Sequence, residues 1–299
     1  MTKLYRSLAV CTVAVAFAML SIAAAQQYTT IDFPGAIATD IAGGPNPQGT
    51  SVGFQQDTSG VLHGFTLTKQ GVFTSFDPPG STFTVAFFID PQGVIVGEYF
   101  DSSFVSHGFI LDGGKYTSVN VPGAAGTGLG GINPSGEISG FTCSDPACGL
   151  TGFPNMNHSF VESKNGVFTI FDPPGATSSI AGTGNPSGAV VGGYTNNGGS
   201  TCITECQGYL LEHGTFTTIN FPQSTFTSLS GVNAPGDIVG AYVDAAGVFH
   251  SFLLSKGVYE SFDPPGAAFS FASGINPGGI IGGVYVDSAG VQHGYIRTP

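Results

Sequence analysis

The sequence has no tryptophan, only seven lysine and arginine residues, and charged side chains at only 9% of its 299 positions. Its 19 acidic residues give a formal net charge of −12. Duplex nucleic acid and anionic membrane surfaces are held mainly by clustered lysine and arginine, so this charge argues against both as partners. The chain also lacks the Ala, Glu, Lys, Leu and Arg enrichment of coiled coils and helical bundles.

What the sequence has in excess is glycine and phenylalanine, with 47 Gly, 25 Phe and 19 Pro. Glycine at this level is common in disordered chains. However, 41% hydrophobic and 12% aromatic residues supply more surface to bury than disordered chains carry. The composition therefore indicates a folded β protein with many turns.

The amino terminus carries the pattern of a secretory signal peptide. Lys3 and Arg6 precede an apolar run over 8–22, which ends in three alanines before Gln26. We predict that residues 1–25 are the signal peptide and that cleavage follows Ala25. An uncleaved membrane anchor is the alternative, since the run is near the lower limit for crossing a bilayer.

Cleavage at this point changes the predicted properties of the protein. It leaves five basic residues against 19 acidic ones, which gives an acidic mature protein with a formal charge of −14. We expect a bacterial protein that is secreted, either to the periplasm or outside the cell, with no membrane span after signal cleavage. Residues 26–299 are predicted to form a single domain.

Four short phrases recur six times in a constant order, and successive copies of the first phrase are 43 to 52 residues apart. The first, Asp/Asn-x-Pro-Gly, begins at Asp32, Asp77, Asn120, Asp172, Asn220 (where Gln223 replaces the glycine) and Asp263. The second, Asn-Pro-x-Gly, begins at Asn46, Asp90, Asn133, Asn185, Asn233 and Asn276. The third places glycine after an apolar residue, at Gly53, Gly97, Gly140, Gly192, Gly240 and Gly282. The fourth, His-Gly/Ser-aromatic, begins at His63, His107, His158, His250 and His293, with Gln207 in the remaining copy.

A repeat of this length is typical of propellers and solenoids. The Pro-Gly phrases are turn sequences, and the apolar segments between them are four to eight residues long, which suits strands. Each repeat is therefore predicted to hold four antiparallel strands in a meander, as in a propeller blade.

The two ends of the chain indicate how the repeats close. The chain enters at Tyr28 on the fourth strand of a blade and leaves at His293–Arg297 on a third strand. Together the two ends complete one blade. We predict an all-β, six-bladed β-propeller of four-stranded antiparallel blades, closed by pairing of the N-terminal strand with the last blade. A β-solenoid and a two-sheet sandwich are the alternatives.

The first strand of each blade should line a crowded central channel, and most copies contain small residues. The copy over 85–89, Val-Ala-Phe-Phe-Ile, does not. We expect a local adjustment or a plugged channel there.

The phrases over 132–140, Ile-Asn-Pro-Ser-Gly-Glu-Ile-Ser-Gly, and 107–111, His-Gly-Phe-Ile-Leu, resemble the bacterial HAF extracellular repeats. The resemblance covers essentially all of 28–297. The chain departs from the family pattern in having Gly or Ser where the family has Ala, and in its frequent Asp-Pro-Pro-Gly. The resemblance implies export and a repeat fold, and it brings no established activity.

Five of the six histidines occupy one repeat position: His63, His107, His158, His250 and His293. A catalytic residue is needed once, whereas a residue that returns in five blades is expected to bond a turn or a neighbouring strand. We therefore predict a structural role for them, and a solvated turn position for His213. The sequence carries no nucleophile elbow, zincin helix or phosphate-binding glycine loop, so no catalytic or cofactor-binding residue is predicted.

The mature chain keeps four cysteines, all in two enlarged loops: Cys143, Cys148, Cys202 and Cys206. An even number in an exported protein predicts disulfides. Local pairing, Cys143 with Cys148 and Cys202 with Cys206, is preferred. Cross-linking of the two loops is the alternative, and a reduced metal site is the least favoured.

The meander places acidic and basic residues on opposite faces. Four of the five mature basic residues, Lys69, Lys115, Lys164 and Lys256, fall in the turns between strands three and four. The opposite, Asp-rich face is the predicted ligand face, with Asp32, Asp77, Asp145, Asp172 and Asp263 as its candidate residues. Turn chemistry and solubility alone could also produce this segregation. Ca²⁺ is the ion that such a face could hold, although no Asp-x-Asp-x-Asp-Gly loop is present.

These observations predict a secreted, non-catalytic β-propeller that acts as a binding or cell-envelope interaction module. We expect it to be monomeric, with a glycan or a cell-surface protein as partner. The alternative is a propeller enzyme, a lyase or glycoside hydrolase, acting at the Asp-rich face. A structural role in a surface layer is a third class. Asp145 and Glu205 are the acids in the two enlarged loops that break the repeat symmetry.

Overall fold

The computed structural model describes residues 26–148, 157–198 and 205–299, which form 24 β-strands. The predicted signal peptide and Cys202 lie outside these residues. No helix in the described ranges is long and apolar enough to cross a membrane.

The strands group into six four-stranded units, each following the order predicted from the repeat. The first strand of the chain, β1, covers Gln27–Ile31. Unit 1 comprises β2 (Ala38–Ile41), β3 (Ser51–Gln56), β4 (Leu62–Leu67) and β5 (Phe73–Phe76). Unit 2 comprises β6 (Phe83–Ile89), β7 (Ile95–Phe100), β8 (Ser106–Asp112) and β9 (Lys115–Val119). Unit 3 comprises β10 (Gly126–Ile132), β11 (Ile138–Cys143), β12 (Asn157–Glu162) and β13 (Phe168–Phe171). Unit 4 comprises β14 (Ser178–Gly184), β15 (Val190–Thr195), β16 (Gln207–Glu212) and β17 (Thr215–Ile219). Unit 5 comprises β18 (Phe226–Val232), β19 (Ile238–Val243), β20 (Phe249–Ser255) and β21 (Val258–Phe262). Unit 6 comprises β22 (Ala267–Ile275), β23 (Ile281–Asp287) and β24 (Gln292–Thr298), completed by β1.

Units 2 to 5 are separate four-stranded sheets, whereas units 1 and 6 join in one eight-stranded sheet. The predicted pairing of the N-terminal strand is present: β1 runs antiparallel to β24, from Gln27 opposite Thr298 to Ile31 opposite Gly294. Units 1 and 6 are linked by a single parallel pair, Ala38 with Gln292. This link makes the sheet mixed, where the prediction was six separate antiparallel sheets. The reason is that the seam brings the start of β2 alongside the start of β24.

Each unit packs against the next through its first two strands. The second strand of a unit contacts the first strand of the following unit, from β3 with β6 through β19 with β22, and β23 contacts β2 across the seam. The apolar clusters of the core lie at these junctions. One of them combines Val96 of unit 2 with Leu129 and Phe160 of unit 3.

The aromatic residue of the fourth phrase is the centre of each unit. All six are fully buried: Phe65, Phe109, Phe160, Tyr209, Phe252 and Tyr295. In five units the glycine of the third phrase faces this ring, so that a Cβ on Gly53 would lie 3.1 Å from Phe65 and 1.9 Å from the carbonyl oxygen of Asp40. The third and fourth phrases therefore recur together because the glycine leaves the space that the aromatic ring and the adjacent backbone occupy.

In unit 6 the glycine of the third phrase is Gly283, whereas the spacing predicted Gly282. Gly283 pairs with Ala272, just as Gly53 pairs with Ile41 in unit 1. A Cβ on Gly283 would meet Phe271 and Tyr295, which matches the environment of the third-phrase glycines in units 1 to 4. The difference arises because β22 carries two register shifts against β23 and the phrase has two adjacent glycines.

The inner strands approach each other closely, as their small residues predicted. A Cβ added to Gly130 would lie 2.5 Å from the carbonyl oxygen of Ala181, and one on Gly182 would lie 2.7 Å from that of Ser230. A Cβ on Gly231 would lie 2.9 Å from Gly274 Cα. Backbone therefore packs directly on backbone between units 3, 4, 5 and 6, which only glycine permits.

Candidate functional site

The inner strands of all six units surround a cavity of about 550 Å³. Its lining is mainly apolar, with Phe54, Phe87, Phe141, Phe269 and Phe271 contributing aromatic rings. Ile180, Leu229 and Val284 add aliphatic surface. A concave, largely apolar space of this volume with few polar groups is typical of small-molecule sites.

Bulges in the inner strands supply much of this lining. In five units the pairing of the first two strands shifts register, and the extra residues are Phe87, Gly130, Gly182 with Thr183, Ser230, and Ser273. Each of them lines the cavity. A β-bulge redirects a side chain out of the regular alternation, and here it points the extra residue towards the centre.

The adjustment expected over 85–89 is the same bulge, filled with a large side chain. Where four other units place Gly or Ser, unit 2 places Phe87, whose ring lies 6.4 Å from that of Phe141 in a T-shaped contact. Phe88 turns away from the cavity and packs in the core beside Val96. Phe87 therefore narrows the cavity on the side of unit 2, and a volume of about 550 Å³ remains open.

One carboxyl group, that of Asp40, lines the cavity. Asp40 is 9% exposed, and burial raises the pKa of its carboxyl to about 7. None of the hydrogen bonds or ion pairs between described residues involves this carboxyl group, and none of the described lining residues is a lysine, arginine or histidine. A buried carboxyl without a partner is costly to the fold, and such groups concentrate at functional sites.

Asp40 breaks the repeat. On β2 it directly precedes Ile41, the residue that pairs with the third-phrase glycine Gly53. The residues at this position in the other units are Val85, Gly128, Ile180, Ser228 and Phe271. Sequence reasoning missed it, because it sought symmetry-breaking acids in the enlarged loops. The signal was available as the one acid at a position that is apolar or small in the other copies.

Glu98 is a second buried acid that the sequence analysis did not single out. It is 6% exposed, and burial raises the pKa of its carboxyl to about 7, although the hydroxyl of Ser106 donates a hydrogen bond to it. The backbone N–H of Ser106 donates to the carbonyl of Pro146. Glu98 therefore lies beneath the first cysteine loop and does not line the cavity.

The five repeat histidines bond the loops that join one unit to the next. Their Nδ1 atoms lie 2.6 to 2.8 Å from the first-phrase side chains, in the pairs His63–Asp77, His107–Asn120, His158–Asp172, His250–Asp263 and His293–Asp32. In unit 4, which has Gln207, Asn220 accepts from the backbone N–H of Gly208 instead. These contacts support the predicted structural role.

The second ring nitrogen of four histidines faces the Asp that opens the turn between strands two and three. These contacts are 3.4 to 3.5 Å long, in the pairs His63–Asp57, His107–Asp101, His250–Asp244 and His293–Asp287. Burial lowers the pKa of His63, but the hydrogen bonds and charges of Asp77 and Asp57 outweigh it, so the pKa is raised. The pKa of His250 and that of His293 are raised in the same way.

The turn carboxylates are held by their own turns. The Ser59 hydroxyl and the backbone N–H groups of Val61 and Ser59 donate to Asp57, and these bonds lower its pKa to about 2. Backbone N–H donors led by Val105, Val248 and Val291 likewise lower the pKa of Asp101, Asp244 and Asp287. Turn geometry therefore accounts for their recurrence.

The predicted ligand-face residues do not come together. Asp32, Asp77, Asp172 and Asp263 follow the outermost strands of four different units, and each is bound to its own histidine. Asp145 lies apart from them in the first cysteine loop, where its carbonyl accepts from Cys148 N–H. Over the described ranges, no group of three His, Cys, Asp or Glu residues is arranged to hold a metal ion. The Ca²⁺ assignment stays a prediction.

The local disulfide Cys143–Cys148 is confirmed, with 5.2 Å between the Cα atoms. It closes the loop that begins at the end of β11. Cys206 is also disulfide-bonded. Its predicted partner, Cys202, is outside the described residues.

A second cavity, of about 740 Å³, lies at the seam between units 6 and 1. Ile31, Lys69, Phe73 and Ile296 are among its lining residues. Asp32, the acid in its lining, is 59% exposed and already bound to His293. Lys69 is exposed as well, so the described residues of this lining include no buried ionisable group comparable with Asp40.

Comparisons with known proteins identify the fold. No protein-family model and no curated protein matches the chain. Among solved structures, it is similar to the lectin of Aleuria aurantia, a six-bladed β-propeller described as fucose-specific, with a TM-score of 0.53. The identity is 14%, over 87% of this chain and 91% of the lectin.

Two further neighbours have the same level of similarity. AofleA of Arthrobotrys oligospora has a TM-score of 0.51 at 12% identity, over 91% of this chain and 82% of that one. Virginiamycin B lyase of Staphylococcus aureus has a TM-score of 0.50 at 11% identity, over 92% of this chain and the whole of that one. At these identities the likeness shows the fold alone: the chain is a β-propeller, whose neighbours include a lectin and an enzyme.

Proposed function

We propose that this protein is a secreted, non-catalytic β-propeller that binds a small, largely apolar ligand in the cavity between its inner strands. In this proposal the six units form a closed six-bladed ring, sealed by β1, and belong with the HAF-type extracellular repeats. The disulfide supports export, because such bonds persist in oxidising compartments.

The cavity carries the proposal. Six nearly equivalent inner strands would form a symmetric lining, yet this lining is asymmetric. Asp40 of unit 1 and Phe271 of unit 6 occupy equivalent positions, and Phe87 fills a bulge at which other units have small residues. A stability requirement alone favours a filled centre, because apolar voids are destabilising. A centre that stays open and asymmetric is what a ligand site requires.

A neutral apolar fluorophore, N-phenylnaphthylamine, tests this proposal. We expect saturable binding with one site per chain and a rise in fluorescence as the dye leaves water. Ser273→Phe is the matched variant, because unit 2 carries Phe87 at the equivalent bulge and Ser273 makes no hydrogen bond among described residues. The variant should weaken binding at least about tenfold, since the added ring occupies the cavity.

An unsaturable dye signal, or equal affinity in Ser273→Phe at unchanged melting temperature, would contradict a cavity site. A circular dichroism melt of both proteins establishes that the variant is folded. Loss of binding with retained stability supports the proposal.

A glycan is the second ligand class, because one neighbour, the Aleuria aurantia lectin, is a six-bladed propeller described with fucose recognition. Tyr99, Tyr242 and Tyr285 stack near repeat histidines, at 4.9 to 5.3 Å between ring centroids, and could provide aromatic faces to a sugar. A glycan array that includes fucosides decides this. Glycan binding that Ser273→Phe leaves unchanged would move the site from the cavity to the outer loops.

The enzyme alternative finds less support in the geometry. A glycoside hydrolase needs two carboxyl groups about 5 to 10 Å apart. The predicted Asp-rich face distributes its acids over separate units, four of them tied to a histidine, and Asp40 is the single acid among the described residues of the cavity lining.

A further inference from the structure

We propose that the cavity ligand is an organic amine with an apolar body, and that the carboxylate of Asp40 binds its ammonium group. This inference rests on the proposed function, because it names the ligand class of the same cavity.

The first step is the missing partner of Asp40. Asp40 is 9% exposed, and no described residue donates a hydrogen bond to its carboxyl group. Phe54 stands opposite it on β3, and Gln292 of β24 and Phe271 of β22 are the neighbouring lining residues across the seam. None of these bears a positive charge. The protein therefore presents an acceptor for which a ligand can supply the donor.

The second step is the charge of that donor. Asp40 is the only titratable group in the lining that the structure describes. In an apolar surrounding, an isolated carboxylate is disfavoured and an opposite charge restores the ionised form. Burial alone holds the pKa near 7, so an ammonium group need add only a moderate interaction to ionise Asp40 at neutral pH. A carboxylate or phosphate ligand would be repelled.

The third step is the rest of the lining. The rings of Phe54, Phe141, Phe269 and Phe271 suit an apolar body, and their faces also attract a cation. A neutral sugar would leave many of its hydroxyls without partners against these rings. At about 550 Å³, the cavity has room for a drug-sized molecule.

Three probes that share one hydrocarbon body separate the charge from the apolar contact: phenylbutylamine, phenylbutanol and phenylbutyrate. Each competes with N-phenylnaphthylamine for the protein at about pH 8, where the amine is ionised. We expect the amine to bind at least about tenfold tighter than the alcohol, with phenylbutyrate the weakest. Below about pH 6 the preference should shrink, because protonation neutralises Asp40.

Asp40→Asn is the decisive variant, because it keeps the shape and removes the charge. We expect amine and alcohol to bind the variant within about threefold of each other, while N-phenylnaphthylamine still binds. Asp112→Asn, at an exposed position outside the cavity, is the control and should keep the amine preference. Melting curves of both variants establish that they are folded.

The outcomes separate the two proposals. If neither the dye nor any probe binds, the cavity is not a ligand site and the proposed function fails. If the dye and the alcohol bind but the amine is no tighter, the ligand class is wrong while the binding function stands. An amine preference that survives Asp40→Asn also overturns the inference, because the charge recognised would lie elsewhere.

Discussion

At the scale of single residues, the buried acids set how stability depends on pH. The pKa of Asp40 and that of Glu98 are both raised to about 7, whereas unfolded carboxyls titrate near 4. Between these values the folded protein binds more protons than the unfolded chain. Stability therefore falls as the pH rises from about 4 through about 7.

Asp40→Asn should remove part of this loss. We expect the stability advantage of the variant over the wild type to be larger at about pH 8 than at about pH 5, by on the order of 2 kcal/mol. Urea unfolding at the two pH values measures the difference. Asp112→Asn, at an exposed site, is the control for the exchange itself. A gain of equal size at both pH values in Asp40→Asn would contradict the assignment to the charge of Asp40.

The histidine pairs also make the stability of the protein fall as the pH rises. The raised pKa of His250 means that its pairing with Asp263 stabilises the protein fully below the unfolded pKa of about 6.5. This contribution is lost as the pH rises through the folded-state pKa. The turn carboxylates act in the opposite direction: the pKa of Asp57 is lowered to about 2, so its stabilising contribution is present above the unfolded pKa of about 4 and is lost as the pH falls through about 2.

His250→Ala should therefore destabilise the protein by about 1 kcal/mol at about pH 5 and by less at about pH 8. His213→Asn is a matched control, because His213 is exposed in a turn at φ 50°, a conformation that Asn tolerates. Chemical denaturation at both pH values measures each variant. A loss for His250→Ala that is independent of pH would assign the effect to packing against Tyr242, whose ring centroid is 5.3 Å away.

At the scale of strands, the third-phrase glycine allows the second strand of a unit to lie close to the first and third strands. Gly53 is enclosed by the carbonyl of Asp40 and the ring of Phe65, both within 3.1 Å of the position a Cβ would take. The first of these atoms belongs to the backbone and cannot rotate away. The glycine is thus required by close approach and not by a positive φ.

Gly53→Ala should cost about 3 kcal/mol or more, because the methyl group would displace the backbone of β2. Gly80→Ala is the control: Gly80 has φ 84° in open space, so alanine there meets only backbone strain of about 1 kcal/mol. Thermal melts compare the two. A smaller loss at Gly53 than at Gly80 would show that the inner strands yield more easily than their packing indicates.

The strands and turns could be predicted because each rests on local chemistry repeated six times. The side chain of Asn133, for example, accepts hydrogen bonds from the N–H groups of Ser135 and Glu137 in its own turn. The residues of the turn therefore predict it without any tertiary contact. The bulges were not predictable. Whether Phe87 or Phe88 faces the cavity depends on a register shift that no residue pattern marks. Asp40 differs in this respect, because the sequence marks it as the one acid at a position that is apolar or small in the other copies. It was missed because its importance depends on a cavity that the sequence does not reveal.

At the scale of the whole molecule, β1 joins the two ends of the chain. Its five residues pair with β24, and Thr30 also reaches Tyr285 of β23 through a side-chain hydrogen bond of 2.9 Å. Without β1, the edge of β24 would offer unpaired backbone groups to another chain. The seam is therefore the point at which an otherwise repetitive protein depends on contacts between residues about 265 positions apart.

A covalent link across this seam should stabilise the whole protein. Thr29 and Ile296 are direct partners in the β1–β24 register, so the double variant Thr29→Cys with Ile296→Cys can form a disulfide. Because the bond closes nearly the entire chain, the gain should reach about 3 kcal/mol, seen as a higher melting temperature than that of either single-cysteine variant. Mass analysis of the intact protein establishes that the new bond has formed beside the existing ones. If the cross-linked protein has the same melting temperature as the single-cysteine variants, unfolding begins inside a unit and the seam does not limit stability.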